Sequence, residues 1–564
     1  MHPHSLHFLR HSAAKVLSYV LSEMLPNVVF LNSGATEHGF YCDFLADRTV
    51  DSHMLVLIQE KMRAAIKSDL PMGQVDMVRA NAVELFRHHK QPHLAQQIAT
   101  NAQQFASVLR IGDFYTLSDE AIVASTGELP AFTLTELKRI ASEVECKSGQ
   151  ESIRILGLVA HNPQELKKSI KNLEALRENH TFRLAEEMKL FATHSDLSEL
   201  EWCWYPNGQI VKESLLTFWK NEMNLRGYQL VSTPQFVKNS RGVEPTPEVD
   251  LSGEYEGTRY QLLSSLALSH IHLFKSFFAD MSPIGLAECA TVATSQSAIL
   301  PESTTPPVSH ADFAHYFCSL EEVEAVMISS LQFIDKMTRM FGFRSHWTIV
   351  GRGTKFSGTV AMWDQAMECA KRALQACGQE EHESKEETAF AGPKLQGYLI
   401  DAHGREWVGP SVSVDWHLPQ KLQLPAAAII TTQVFGSLER FLSILIEHVR
   451  GELPLWLTPE QVRVVPISSN MGAYAATVAS ALREAGWRVR IDAREVSLGK
   501  RVHQAEQERV PYTVVVGEQE ENTQTLSVRV RGSARNHMCK MTSVELCAEM
   551  DKAKLSKEEN CFES

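Results

Sequence analysis

The sequence predicts an α+β protein of several domains that ends in an α/β domain, and three observations carry that expectation. At 564 residues the chain is too long for one hydrophobic core, so about three or four domains are expected. Residues 1–175 mix helix with short strand, as in "HSAAKVLSYVLSEML" followed by "GATEHGFYCDF", an amphipathic helix and then a turn into a strand. After Pro454 the pattern becomes strand, helix, strand, helix, through "VRVVPI", "YAATVASALREAG", "WRVRIDA", "KRVHQAEQERV", "YTVVVG" and "LSVRVRG", which predicts a mostly parallel sheet over 454–564.

Between these ends, residues 176–453 form a longer segment. A helix-rich connector, "LRENHTFRLAEEMKLF", opens it, and strands such as "YQLVSTPQFV" and "LQGYLID" alternate with helices such as "KESLLTFWKNEMNLRG". The acidic "CGQEEHESKEETAFAG" reads as an exposed loop, and its charge around 377–387 makes it a candidate docking element. Near the segment's end, "FGSLERFLSILIEHVRGELPLW" places Leu438, Phe441, Leu442, Leu445 and Val449 on one helical face. Ser437 suits the cap, Arg450 the carboxyl end, and Gly451 with Pro454 the stop. On spacing alone Arg440 reads equally well as a solvated helix charge.

Composition narrows the function classes. Hydrophobic residues at 44% and charged residues at 22% are ordinary for a globular protein. No apolar run approaches the roughly 20 residues of a membrane span, and the start lacks a basic region and a cleavage site, so a cytoplasmic address and no membrane partner are expected. The 10 cysteines include no C-x-x-C pair, which points to reduced thiols. A net charge of -13 argues against general nucleic-acid coating, and no DNA partner is expected, while one local basic surface is allowed.

Collinear motifs then give a resemblance. "GQIVKESLLTFWKNEMNLRGYQLVSTP" resembles motif 1 of class II aminoacyl-tRNA synthetases, and "DAHGREWVGPSVSVDWHLPQ" with "FGSLERFLSILIEHVRGELPLWLTPEQV" resembles their motif 3 region. "REVSLGKRVHQAEQERVPYTVVVGEQE" resembles an anticodon-binding domain, and "LRHSAAKVLSYVLSEMLPN" with "GFYCDF" an editing domain. The order is similar to that of the threonyl-tRNA synthetase family along nearly the whole chain, without the small ubiquitin-like domain that often precedes it. The resemblance implies a class II antiparallel sheet core over 176–453, an editing-like domain over 1–175, an anticodon-binding domain over 454–564 and a homodimer built on motif 1.

The family's activation chemistry needs fixed cations around a reacting phosphate, and here the pattern departs. In "LAECATVATSQSAILPESTTPP" the motif 2 arginine falls on Thr294 and the nucleotide-orienting glutamate on Gln296. Losing such a cation costs about 3 kcal/mol in the transition state. The family's zinc is held by one Cys and two His, which fall on Ala267, His315 and Thr431. A catalytic zinc needs three protein ligands, so zinc is not expected, and His315 reads as a remnant. Recruiting His270 or His272 in place of the lost Cys calls for a rotation of the local backbone. Two pocket glutamines become Val408 and Ser413, and the tyrosine of Y-G-P-K becomes Ala391, with Gly392, Pro393 and Lys394 kept. Arg440 matches the motif 3 arginine that contacts the γ-phosphate, so Arg440 and Lys394 are the residues to hold ATP if nucleotide binding persists.

The editing cluster, H-x-x-x-H with C-x-G-x-H, reads His11, Lys15, Ser118 and Ile122, which leaves His11 as an isolated helix histidine. In the last domain Asn470, Arg494, Lys500, Glu520, Arg529 and Arg531 match positions that face the anticodon loop, the cations attracting phosphate and Asn470 and Glu520 reading base edges. The expectation is a catalytically impaired member that binds tRNA in an accessory or regulatory role. An active ligase with a zinc-free pocket and a protein-binding scaffold are the alternatives.

Overall fold

The structure, a computed structural model, describes residues 5–36, 39–47, 50–100, 104–118, 120–140, 151–178, 180–194, 196–238, 251–293, 306–379, 381–383, 388–532 and 538–559. The chain divides into two compact units, Met1–Glu178 and Asn179–Ser564. Among the described residues no helix is long and apolar enough to cross a membrane.

In the first unit, Ser5 caps helix Leu6–Met24 by accepting the Phe8 N–H. Leu9, Val16, Leu17, Val20 and Leu21 bury its apolar face, and His11 and Lys15 are buried with them. The helix packs on an antiparallel sheet whose order is Val29–Ala35, Phe40–Ala46, Glu151–Ala160 and Ala131–Arg139. A smaller sheet joins Met72–Val78, Phe105–Ile111 and Phe114–Leu117.

The second unit is organised by an eight-stranded sheet. Its order is Tyr228–Leu230, Ile284–Ala293, Val308–Cys318, Ala428–Gln433, Glu406–Asp415, Lys394–Ile400, Arg344–Val350 and Glu381–Glu383. The inner pairings are antiparallel and the two edge pairings parallel. Ala287, Ala314, Ile430, Val412 and Leu395 point to one face and join the main core, which includes helices Val323–Met340 and Val360–Ala376. Side chains alternate along each strand, so their neighbours Leu286, His315, Thr431, Ser413 and Lys394 point to the opposite face.

Two expectations need correction here. The acidic insertion is not all loop, because Glu381–Glu383 pairs in parallel with Trp347, Thr348 and Ile349 as an edge strand. Backbone pairing at an edge needs no hydrophobic pattern, which is why composition misses it. Residues 380 and 384–387 of that insertion lie outside the described residues. The last sheet, in the order Val489–Ile491, Val462–Pro466, Tyr512–Val516, Leu526–Val530 and Cys539–Met541, is mixed rather than mostly parallel. Its first two pairings are parallel and its last two antiparallel. The short helix Glu518–Thr523 is too brief for the crossover a parallel return needs, and Gln524, at φ 52°, turns the chain back.

Candidate functional site

Register brings several of the expected residues onto one rung of the large sheet. Lys394 lies opposite Ser413, Ser413 opposite Thr431, Thr431 opposite His315, and His315 opposite Leu286. Directly opposed residues share a face, so this rung crosses the side of the sheet away from the main core. Glu288, two residues along from Leu286, shares that face.

His315 is buried, and its Nδ1 lies 2.8 Å from Nδ1 of His270, which helix Ala267–Leu273 supplies. His270 Nε2 is 3.4 Å from Glu288 Oε2, and the Glu288 carboxylate accepts the Thr233 N–H and hydroxyl. Burial, with His270 adding to it, pushes the His315 pKa well below the usual value, so the ring is neutral. The donor set does not fit zinc. Glu288 stands at the ring nitrogen of His270 that faces away from His315, so the three cannot converge on one ion. Ala267 and Thr431 add no nitrogen or sulfur ligand, and His272 is exposed.

The start of helix Leu438–His448 is set by a buried carboxylate. Asp312 accepts the backbone N–H groups of Val434, Phe435 and Gly436 at 2.7, 3.0 and 2.9 Å and the Trp219 indole N–H at 3.1 Å. Burial raises its pKa to about 6 against the pull of those donors. Ser437 then caps the helix by accepting the Arg440 N–H. The Arg440 guanidinium folds back toward Gly436, whose φ of 66° suits glycine. Burial lowers the Arg440 pKa from its ordinary value, and among the described residues no carboxylate pairs with it. Such a half-buried cation suits a phosphate oxygen. Next to it, Glu439 accepts the His310 N–H and bonds His310 Nδ1 at 2.8 Å, and Lys212 reaches His310 Nε2 at 3.2 Å. Sequence reasoning missed Lys212, His310, Glu288 and Thr233. A lone Glu in the apolar strand Ile284–Ala293 is the one signal that marks this group.

Other expected residues fall elsewhere. Val408 is exposed near the start of its strand, opposite Tyr398, and Ala391 and Gly392 lie just before Lys394. Thr294 and Gln296 lie outside the described residues.

In the last domain Asn470 is exposed in the turn Ser469–Met471, and Lys500 is exposed in the first turn of helix Leu498–Gln507. The other four make internal bonds. Arg494 forms a bidentate pair with Asp492 at 2.7 and 2.6 Å, and Arg529 pairs with Glu506. Arg531 donates to the Arg509 and Leu453 carbonyls at 2.9 and 3.1 Å. Glu520 is buried and accepts the Gly517 N–H and the Ser527 hydroxyl.

In the first unit His11 is not isolated. Its Nε2 lies 3.0 Å from Ser118 Oγ, and Lys15 Nζ donates to the Ser33 carbonyl and hydroxyl. Ile122 packs against the core of that unit.

A large, mainly antiparallel sheet, a helix that starts beneath a buried aspartate and presents Arg440, and a following α/β sheet together define a class II aminoacyl-tRNA synthetase fold. Residues 461–549 match the anticodon binding domain family. The threonine–tRNA ligase of Dehalococcoides mccartyi strain CBDB1 is 30% identical over 562 residues, covering 94% of each chain. A threonine–tRNA ligase of Thermus thermophilus is 31% identical over 562 residues, covering 93% of this chain and 85% of its own. The chain belongs to the threonine–tRNA ligase family. Among solved structures, the RNA binding domain of threonyl-tRNA synthetase from Cryptosporidium parvum Iowa II shares the fold with a TM-score of 0.62 at 24% identity, covering 66% of this chain and 98% of that one. The putative threonyl-tRNA synthetase ThrRS-1 of Aeropyrum pernix does so with a TM-score of 0.60 at 19% identity, covering 68% and 97%.

Proposed function

We propose that this chain is a cytoplasmic threonyl-tRNA synthetase-like protein that binds tRNA through residues 454–564, is impaired in amino-acid activation and serves an accessory or regulatory role. The observation that carries this reading is the rung Lys394, Ser413, Thr431 and His315, where the one imidazole is neutral and already bonded to His270. A pocket that reads threonine through a metal has no such metal-binding set here. Thr294 and Gln296, at the motif 2 positions, bring no charge to a reacting phosphate. Asn470 and Lys500 are the exposed residues that support an anticodon contact, the first to a base edge and the second to phosphate. A homodimer through motif 1 is supported by Leu225 and Phe236, large apolar side chains that are 80% and 57% exposed.

A second reading, an active ligase that charges tRNA from a zinc-free pocket, draws support from Arg440, which has no acid partner among the described residues and suits ATP. Filter binding of full-length protein to tRNA over a salt series tests the first reading. Affinity falling with salt is expected, together with a uniform loss in Lys500→Glu. No affinity at low salt would leave the protein-binding scaffold as the better account.

A further inference from the structure

Lys212, His310 and Glu439 join three elements that lie far apart in the chain. Lys212 is on helix Pro206–Leu225, His310 is near the start of strand Val308–Cys318, and Glu439 is in the first turn of helix Leu438–His448. The Lys212 ammonium carries only donors, so His310 Nε2, 3.2 Å away, accepts from it. The ring proton therefore sits on Nδ1, which donates to Glu439 Oε1 at 2.8 Å, while Oε2 accepts the His310 backbone N–H at 2.9 Å. One tautomer of the neutral ring thus bridges a buried ammonium to a buried carboxylate. Lys212 and Glu439 are 8% and 2% exposed, whereas the His310 side chain, at 28%, is open to protons from solvent. Lys212 makes no other hydrogen bond among the described residues, and its ammonium rests 5.3 Å from the centre of the Trp204 ring.

A second proton on His310 has no acceptor in this arrangement. It goes to Nε2, where two donors then face each other across 3.2 Å and an imidazolium meets an ammonium. The other end holds, because a charged ring donates more strongly to a carboxylate. We propose that Lys212, His310 and Glu439 form a proton-operated latch, which ties helix Pro206–Leu225 to the start of the helix presenting Arg440 while His310 is neutral and releases Lys212 when His310 is protonated. The surrounding groups favour release. Arg440, beside Glu439, adds positive charge, and Cys289 on the neighbouring strand, set among Asp312, Glu439 and Lys212, stays a neutral thiol because burial pushes its pKa well up. Asp312, two residues along from His310, bonds the N–H groups of Val434, Phe435 and Gly436 on one side and Trp219 on the other. That second tie keeps both helices seated when Lys212 leaves, so the opening is local.

Hydrogen exchange of the full-length protein, read by mass spectrometry and corrected for intrinsic rate, tests this between pH 8 and pH 5, the range over which imidazoles change charge. The parent is expected to lose protection at least about threefold at the lower pH in helix Pro206–Leu225 and strand Ser198–Trp204. His310→Gln supplies an amide oxygen for Lys212 and an NH2 for Glu439 and takes up no proton. It is expected to match the parent at pH 8 and to show no such loss. Asp312, whose pKa is about 6, stays in this variant, so the difference between the two proteins belongs to His310. Lys212→Met approaches the same contact from its other side and is expected to be less protected at pH 8, with the pH dependence gone. Equal protection of the parent at both pH values, or a loss that both variants retain in full, would overturn the proposal.

Discussion

His315 and His270 face each other with their Nδ1 atoms 2.8 Å apart, so one ring donates a proton that the other lacks. His315→Leu leaves the His270 nitrogen without its partner and is expected to cost about 1–3 kcal/mol in urea unfolding. All nine tryptophans lie beyond residue 178, so their fluorescence reports this unit. Elemental analysis of the parent protein is expected to find no stoichiometric zinc, and about one zinc per chain that His315→Leu removes would sink the idea.

Asp312 is the second buried determinant. Asn at this position turns an amide NH2 toward either Val434 N–H and Trp219 or Phe435 and Gly436 N–H. Asp312→Asn is therefore expected to destabilise the unit by about 1–3 kcal/mol, despite removing a carboxylate whose charge is disfavoured by burial. An equal or higher urea midpoint would show that the charge, and not the four accepted bonds, dominates.

Arg531 and Lys500 separate structure from RNA contact. Arg531→Ala frees the Arg509 and Leu453 carbonyls and is expected to lower stability by about 1–3 kcal/mol. Lys500→Glu is expected to leave stability within about 0.5 kcal/mol and to flatten the salt slope of tRNA binding by about one unit. The reverse assignment, with Arg531→Ala fully stable and selectively defective in tRNA binding, would move the RNA contact to the strand Leu526–Val530 and the residue after it.

Pyrophosphate exchange with ATP is expected to be absent with every amino acid, because the motif 2 positions carry no cation. Exchange with any amino acid would favour the active-ligase reading. In that event Arg440→Ala should reduce the rate about a hundredfold or more, as loss of a phosphate-facing cation does.

His11 gives the first unit a pH dependence whose sign follows from its lowered pKa. The unfolded chain takes up a proton below about 6.5, whereas the folded ring, buried and beside Lys15, resists it until about 4. Stability contributed by the neutral ring is present above 6.5 and is lost as pH falls toward 4. Hydrogen exchange of Leu6–Met24, corrected for intrinsic rate, is expected to show weaker protection at pH 5 than at pH 7, with the difference reduced in His11→Gln. An identical pH response in the variant would assign the effect to other groups.

Sequence by itself determined the elements that rest on short-range physics. Leu438, Phe441, Leu442 and Leu445 at helical spacing, with Ser437 as cap, suffice to specify helix Leu438–His448 because its contacts repeat within a turn. Motif order likewise made the family legible, and the match of residues 461–549 falls where the strand and helix alternation begins. Tertiary structure alone decided which side chains meet. Lys394, Ser413, Thr431 and His315 are far apart in the chain, and only strand register sets them on one rung. His270 reaches His315 because a helix delivers it across the sheet, and His11 bonds Ser118, which arrives from 107 residues away. Charge type was readable at Arg494, Arg529 and Arg531, but their partners Asp492, Glu506 and the Leu453 carbonyl were not, since hydrogen-bond geometry exists only after the backbone has folded.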